Sequence, residues 1–226
     1  MRKIVHRDDN KRLLYFLAAG IDANIDPYYT QLCSVNLDKG VKSLKVLTPE
    51  AFQHDVRLIP EAGTFIDISS RSDQAFTFIY RSLENGEVIK TLAKSDWSEL
   101  KEKGLSLPEP FKAKGRDAKT DIFGVIWRPV NFDPQKSYPI IEYIYNGPHC
   151  FSTPKSFSVI WARQQALANL GFIVVQCDAM GTAKRSKIFH DVSYKNLGDG
   201  GFLDRILFLK AVNKVIALEY LEVRGH

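Results

Sequence analysis

The sequence lacks several features by which disulfide-rich, zinc-binding, membrane or secreted proteins are identified. Its three cysteines are too few and too far apart for a disulfide framework or a structural zinc site, so we expect buried free thiols at Cys33, Cys150 and Cys177. No apolar run reaches the roughly 18 residues of a membrane helix, which predicts no membrane segment. Residues 1–9 are basic without an apolar stretch, which predicts no secretory signal. These features leave the compartment open.

Charge is not concentrated anywhere along the chain. Its 31 Lys and Arg residues outnumber its 26 Asp and Glu residues, and the excess is spread over 226 residues. A nucleic-acid-binding protein collects such residues on one face or helix, so we expect no nucleic-acid partner. Residues 178–182 lack the glycines and the lysine of a phosphate loop. His149 and Cys150 have no second pair of residues at ligand spacing, so we expect neither a cofactor nor a metal.

Short apolar runs alternate with turns over the first 95 or so residues, which predicts strands. Asn85-Gly86 favours a hairpin. Strands without a helical period indicate an antiparallel meander, and a sandwich, a barrel or propeller blades would all fit. The pattern repeats after about 45 residues, which favours blades. One complete blade and most of another fit here, fewer than the four to eight or so of a propeller. The predicted strands are 13–18, 30–37, 43–47, 64–69, 75–82 and 88–92.

The second half of the chain predicts an α/β arrangement. Residues 95–107 form a charged connection, and residues 111–115 pair with residues 122–127. Strand, helix, strand and helix then alternate, which predicts a parallel sheet with right-handed crossovers. These elements are a strand at 138–147, a helix at 156–170 with Ser156 as its N-cap, a strand at 172–177 and a helix at 202–217.

The strand at 138–147 is a nearly continuous apolar run, typical of a strand buried on both faces. Asn146-Gly147-Pro148 ends it. In open α/β sheets, ligands and chemistry lie at the carboxyl ends of the strands. Tyr145, at this end, is therefore the candidate functional residue.

Five motifs together resemble the prolyl oligopeptidase family of serine peptidases, most closely its dipeptidyl peptidase IV-like branch. The resemblance implies a mixed, incomplete fold: β-propeller blades with a linker in residues 1–105, then the first half of an α/β-hydrolase domain in residues 106–226. The motifs are Gly124-Val-Ile-Trp-Arg-Pro129, Tyr138-Pro-Ile-Ile141, Tyr145-Asn-Gly-Pro148, Asp178-Ala-Met-Gly-Thr182 and Asn196-Leu-Gly198.

The resemblance also implies a function. The tyrosine of the Tyr-x-Gly-Pro turn, here Tyr145, would donate its hydroxyl to the oxyanion hole. The substrate of the intact protein would be a peptide, no cofactor would be needed, and a homodimer is allowed. Relatives of this kind are often periplasmic or secreted.

The chain departs from the family where the catalytic triad is concerned. It has no G-x-S-x-G motif, so Ser, Asp and His of a triad would lie beyond His226, and we expect this chain alone to be inactive. Ser152, Ser156, Asp178 and His190 show no spacing that requires a replacement triad. The alternative function is a non-catalytic propeller remnant that binds peptide or protein. The strand at 172–177 is expected to keep an unpaired apolar edge, which predicts poor solubility.

Overall fold

The computed structural model describes residues 1–158 and 162–224. The chain divides into two compact units. Unit 1 contains residues 1–97 and the short segment 155–157, and unit 2 contains residues 98–154 and the chain from residue 158. The domain boundary at residue 105 stays a prediction.

Unit 1 consists of two antiparallel four-stranded sheets, each with its strands in chain order. The first sheet contains β1 (Lys3–Asp8), β2 (Leu13–Ala19), β3 (Thr30–Asn36) and β4 (Lys45–Val46), and the second contains β5 (Gln53–Ile59), β6 (Thr64–Arg71), β7 (Gln74–Ser82) and β8 (Val88–Lys94). Short 3₁₀ turns occupy Gly40–Ser43 and Pro60–Ala62. Side chains from both sheets form one apolar core, which includes Leu32, Leu47 and Phe65.

Strands β1 and β5 were missed by the sequence analysis, so residues 1–97 contain eight strands where six were predicted. The reason is visible in β5, where an inward position is taken by a polar residue. His54 is 1 % exposed, and its Nδ1 lies 2.8 Å from the Asp67 carboxylate. The carboxylate in turn pairs with Arg81 Nε at 3.0 Å. A buried ionic chain of this kind hides the alternation of apolar and polar residues that identifies a strand.

Unit 2 is a four-stranded sheet with helices packed on both faces. Its elements are α1 (Ser98–Glu102), β9 (Glu109–Lys114), β10 (Asp121–Trp127), β11 (Ile140–Glu142), α2 (Ala162–Asn169), β12 (Ile173–Cys177), α3 (Lys187–Asp191), a 3₁₀ turn at Leu197–Asp199 and α4 (Phe202–Arg224). The strand order is β11-β12-β10-β9. On one face Ile126 and Val175 pack with Phe208 of α4, and on the other Trp127 and Val174 pack with Ala168 of α2.

The two strands that alternate with helices, β11 and β12, pair in parallel as predicted, and the antiparallel strands β10 and β9 make the sheet as a whole mixed. Strand β12 pairs parallel with β11 and antiparallel with β10. Its two edges are therefore both hydrogen-bonded, and the expected unpaired edge at 172–177 is wrong. Among the described strands β11 is the one that ends the sheet on this side.

Two elements of unit 2 are shorter than predicted. The strand expected at 138–147 covers only Ile140–Glu142 and is half-buried, because it ends the sheet and pairs on one side. The helix expected at 156–170 is described from Ala162, and Ser156 lies in a bend, so it is not an N-cap. Residues 159–161 of that prediction lie outside the described residues. Within the described part of the chain, no helix is long and apolar enough to cross a bilayer.

Candidate active site

The turn at residues 143–148 leaves the sheet directly after β11. Tyr143 N donates to Val175 O at 2.9 Å, which adds one ladder bond beyond the strand. Tyr145 follows two residues later and is half-buried. The residue therefore lies just past the carboxyl end of β11, in the connection that leads toward α2.

The hydroxyl of Tyr145 has two close neighbours. A Cβ on Gly147 would lie 2.7 Å from the Tyr145 hydroxyl oxygen, so a side chain at this position would displace the Tyr145 ring. The hydroxyl also hydrogen-bonds with the side chain of Cys150, and this bond, together with burial, raises the pKa of Tyr145. Tyr145 is thus kept as a neutral O–H donor, the form that can stabilise a developing negative charge.

Arg205, in the first turns of α4, reaches the backbone of the Tyr145 turn. Its Nη2 donates to Tyr145 O at 2.6 Å and to Asn146 Oδ1 at 2.9 Å. Its Nη1 pairs with the Glu142 carboxylate, and its Nε donates to Gly200 O at 3.3 Å. One buried cation therefore connects α4, the end of β11 and the turn.

A second ionic cluster anchors the start of α4. Arg116 donates to Asp199 from both terminal nitrogens, at 2.8 and 2.7 Å, and also contacts Asp204. Asp204 is fully buried and accepts the backbone N–H of Met180 at 3.1 Å. These bonds raise the pKa of Arg116 and lower the pKa of Asp199. The cluster fixes the position from which Arg205 extends.

Asp178 organises the loop that follows the Tyr145 turn. Its carboxylate is fully buried and accepts the backbone N–H groups of Ser152, at 2.7 Å, and Thr153, at 2.9 Å. Gly181, three residues further on, has a φ of +102°. The segment 178–182 is therefore a turn that holds the backbone of residues 152–153.

The residues considered for a replacement triad are not brought together as one. His190 Nε2 hydrogen-bonds with Pro148 O at 3.0 Å, while Ser152 Oγ donates to Asp178 at 3.3 Å. Ser156 belongs to unit 1. In the part of the chain that the structure describes, no group of three or more His, Cys, Asp or Glu side chains could hold a metal ion.

The sequence analysis missed Arg205 and Glu142, and it misjudged one cysteine. Glu142 was visible as the single carboxylate in an apolar strand, which requires a partner when it is buried. The partner, Arg205, stands 63 positions away in the chain, and no local pattern connects the two. Cys33 and Cys177 are buried thiols as predicted, whereas Cys150 is exposed because its loop lies outside the core.

Comparison with known proteins gives consistent matches. The profile of the prolyl oligopeptidase family matches residues 157–225. A probable dipeptidyl-aminopeptidase B from Paracoccidioides brasiliensis is 28% identical over 212 residues, which cover 88% of this chain and 21% of that protein. Dipeptidyl peptidase 8 from Homo sapiens is 25% identical over 226 residues, which cover 96% of this chain and 23% of that protein.

Solved structures match in fold. A putative dipeptidyl aminopeptidase IV from Bacteroides ovatus superposes with a TM-score of 0.74 at 24% identity. The match covers 96% of this chain and 30% of the Bacteroides ovatus chain. Dipeptidyl peptidase 4 from Porphyromonas gingivalis superposes with a TM-score of 0.72 at 19% identity. The match covers 93% of this chain and 29% of that chain. The chain spans about a fifth of the length of the curated relatives it matches. In sequence the chain is similar to the prolyl oligopeptidase family and, within it, to dipeptidyl peptidases, and its fold matches dipeptidyl peptidase IV-like structures.

Proposed function

We propose that this chain contributes part of the active site of a serine-type dipeptidyl peptidase, with Tyr145 as an oxyanion donor. The observation that carries the proposal is the position of Tyr145 between β11, the third strand of unit 2, and α2, the next helix after it. In α/β-hydrolases the loop after the third strand supplies one donor of the oxyanion hole. A neutral, half-buried hydroxyl at this place suits that role.

The proposal extends to the architecture of the complete protein. The two four-stranded meanders of unit 1 are of the size and topology of propeller blades. Unit 2 would be the first half of an α/β-hydrolase domain. In that fold a nucleophile elbow follows the next strand, and its triad runs in the order Ser, Asp, His.

The reaction would proceed through an acyl-enzyme. The serine oxygen bonds to the scissile carbonyl carbon while its proton passes to histidine, and the carbonyl π electrons move to oxygen. Tyr145 would donate its O–H to that oxyanion. Collapse of the intermediate breaks the C–N bond, and the amine leaves with the proton from histidine. Water then hydrolyses the ester in the same way.

Residues 1–226 alone are proposed to be inactive, because their sequence contains no G-x-S-x-G elbow. The test compares residues 1–226 with the complete natural protein that contains them, both purified. The substrate is Gly-Pro-p-nitroanilide, and N-acetyl-Gly-Pro-p-nitroanilide is the control, because a dipeptidyl peptidase requires a free N-terminus.

We expect the complete protein to release p-nitroaniline from the free substrate and hardly at all from the acetylated one. Residues 1–226 should release none from either. A complete protein that cleaves neither substrate would contradict the peptidase proposal and favour a binding function. Turnover by residues 1–226 would contradict the proposed inactivity.

A further inference from the structure

Arg205 is only 1 % exposed, so its guanidinium lies almost entirely away from solvent. Burial of a guanidinium costs about several kcal/mol in lost hydration, unless protein partners replace the water. Here the partners are the Glu142 carboxylate and three oxygen acceptors. A residue that only had to fill this space would be apolar, because well-packed apolar replacements of buried ion pairs are often neutral or stabilising.

The partners of Arg205 converge on one segment. Glu142 ends β11, Tyr145 offers its carbonyl and Asn146 its amide oxygen. The planar guanidinium binds these acceptors in fixed directions, which an ammonium group cannot do. The guanidinium therefore contacts both the last residue of β11 and the middle of the turn.

The opposite side of the turn is also held. Asn146 Nδ2 donates to Met180 O at 3.4 Å. A Cβ on Gly201 would lie 2.8 Å from the amide atoms of Asn146, and Gly201 has a φ of +68°. The absence of a side chain at Gly201 therefore lets the first turn of α4 approach Asn146 closely. Arg205 can then bind both Asn146 Oδ1 and Tyr145 O.

We propose that Arg205 is a positioning residue, which holds the 142–146 backbone so that the Tyr145 hydroxyl is aimed at the oxyanion. This inference rests on the proposed function of Tyr145 and adds a residue to it. Arg205 acts through the turn and does not touch the substrate. A purely structural arginine would stabilise the fold without fixing the surroundings of the Tyr145 hydroxyl.

The first test uses residues 1–226 and does not depend on activity. Arg205→Lys keeps the charge next to Glu142 but loses the fork that binds the turn. The chain is labelled with ¹³Cζ-tyrosine, and Tyr145→Phe assigns the Tyr145 resonance. Arg128→Lys is the control, because Arg128 pairs with Glu109 at 2.7 Å in the same unit and lies over the Phe132 ring.

We expect the raised titration midpoint of Tyr145 to move back toward that of free tyrosine in Arg205→Lys and to stay in place in Arg128→Lys. Asn146→Ala, which removes one of the two turn contacts, should move it in the same direction by less. This second variant decides the question if Arg205→Lys does not fold. An unchanged Tyr145 midpoint in a folded variant would overturn the proposal.

The second test measures activity in the complete natural protein. Arg205→Lys should lower kcat roughly 10- to 100-fold with little change in KM, as expected for a displaced catalytic group. A raised KM with unchanged kcat would contradict positioning of the oxyanion donor. If the Tyr145 midpoint moves but the unsubstituted protein has no peptidase activity, positioning of Tyr145 stands and the proposed function fails.

Discussion

At the scale of single residues, Asp199 connects protonation to stability. Its carboxylate accepts both hydrogen bonds from Arg116 and one from Gly201 N at 3.0 Å. The bonds from Arg116 are the main reason why the pKa of Asp199 is lowered. A carboxyl group whose pKa falls on folding stabilises the protein above its unfolded pKa, near 3.9, and this contribution is lost as the pH falls through the folded value.

Asp199→Asn should therefore lower the free energy of unfolding by about 1 kcal/mol at pH 7, since solvent screens part of the interaction. The loss should shrink as the pH falls from about 5 to 3, because the unsubstituted carboxyl group is then protonated as well. Urea unfolding followed by tryptophan fluorescence, to which the buried Trp127 of unit 2 contributes, measures the free energy of unfolding.

Asp191→Asn is the matched control, because Asp191 forms an exposed pair with Lys187 one helical turn away. Such pairs contribute little, so this variant should show almost no loss at either pH. The explanation for Asp199 is contradicted if its loss is as large at pH 3 as at pH 7.

At the scale of elements, the pairing of β10 with β12 forms the centre of the sheet on which α4 packs. Gly124 stands opposite Cys177 in this pair. A Cβ on Gly124 would lie 2.6 Å from Gln176 O and 2.9 Å from Cys177 Cβ, and it would also meet Phe208. Backbone, unlike a flexible side-chain end, cannot yield cheaply to such a contact.

Gly124→Ala should destabilise the protein by about 1–3 kcal/mol, the usual effect of adding a methyl group to a packed interior. The control is Gly198→Ala, because a Cβ there meets nothing within 4 Å and Gly198 has no positive φ. Urea unfolding of the two variants gives the comparison. Equal stability of Gly124→Ala and the unsubstituted chain would mean that the two strands pack less tightly than described.

The sequence predicted elements best where the side chains alternate clearly. Strands β6 and β7 and the pairing of β9 with β10 followed from apolar runs and turn residues. Strand β5 did not, because His54 occupies an inward position. The antiparallel pairing of β12 with β10 also could not be predicted, since it depends on contacts between residues about 50 positions apart.

In the candidate site, too, a local sequence pattern predicted one residue and not its distant partners. Tyr145 was found from a local pattern, a strand followed by a turn. Its supports, Arg205 and the Arg116 cluster, come from distant parts of the chain. Long-range ionic partners are chosen by the tertiary structure, so a single sequence reveals at most that a buried charge needs one.

At the scale of the whole molecule, the chain spans about a fifth of the length of its curated relatives. The two compact units each have a core, and the chain is similar to the prolyl oligopeptidase family, whose profile matches residues 157–225. Peptidase activity is proposed for the complete natural protein. Within it, the proposed contribution of these residues is the Tyr145 hydroxyl and the turn that holds it.

The most direct test is therefore the turnover of Gly-Pro-p-nitroanilide by the complete natural protein carrying Tyr145→Phe. We expect kcat to fall about 10²- to 10³-fold, the usual effect of removing one oxyanion donor. Tyr143→Phe, two residues earlier, should keep its activity. An active complete protein whose kcat is unchanged by Tyr145→Phe would contradict the central claim that Tyr145 stabilises the oxyanion.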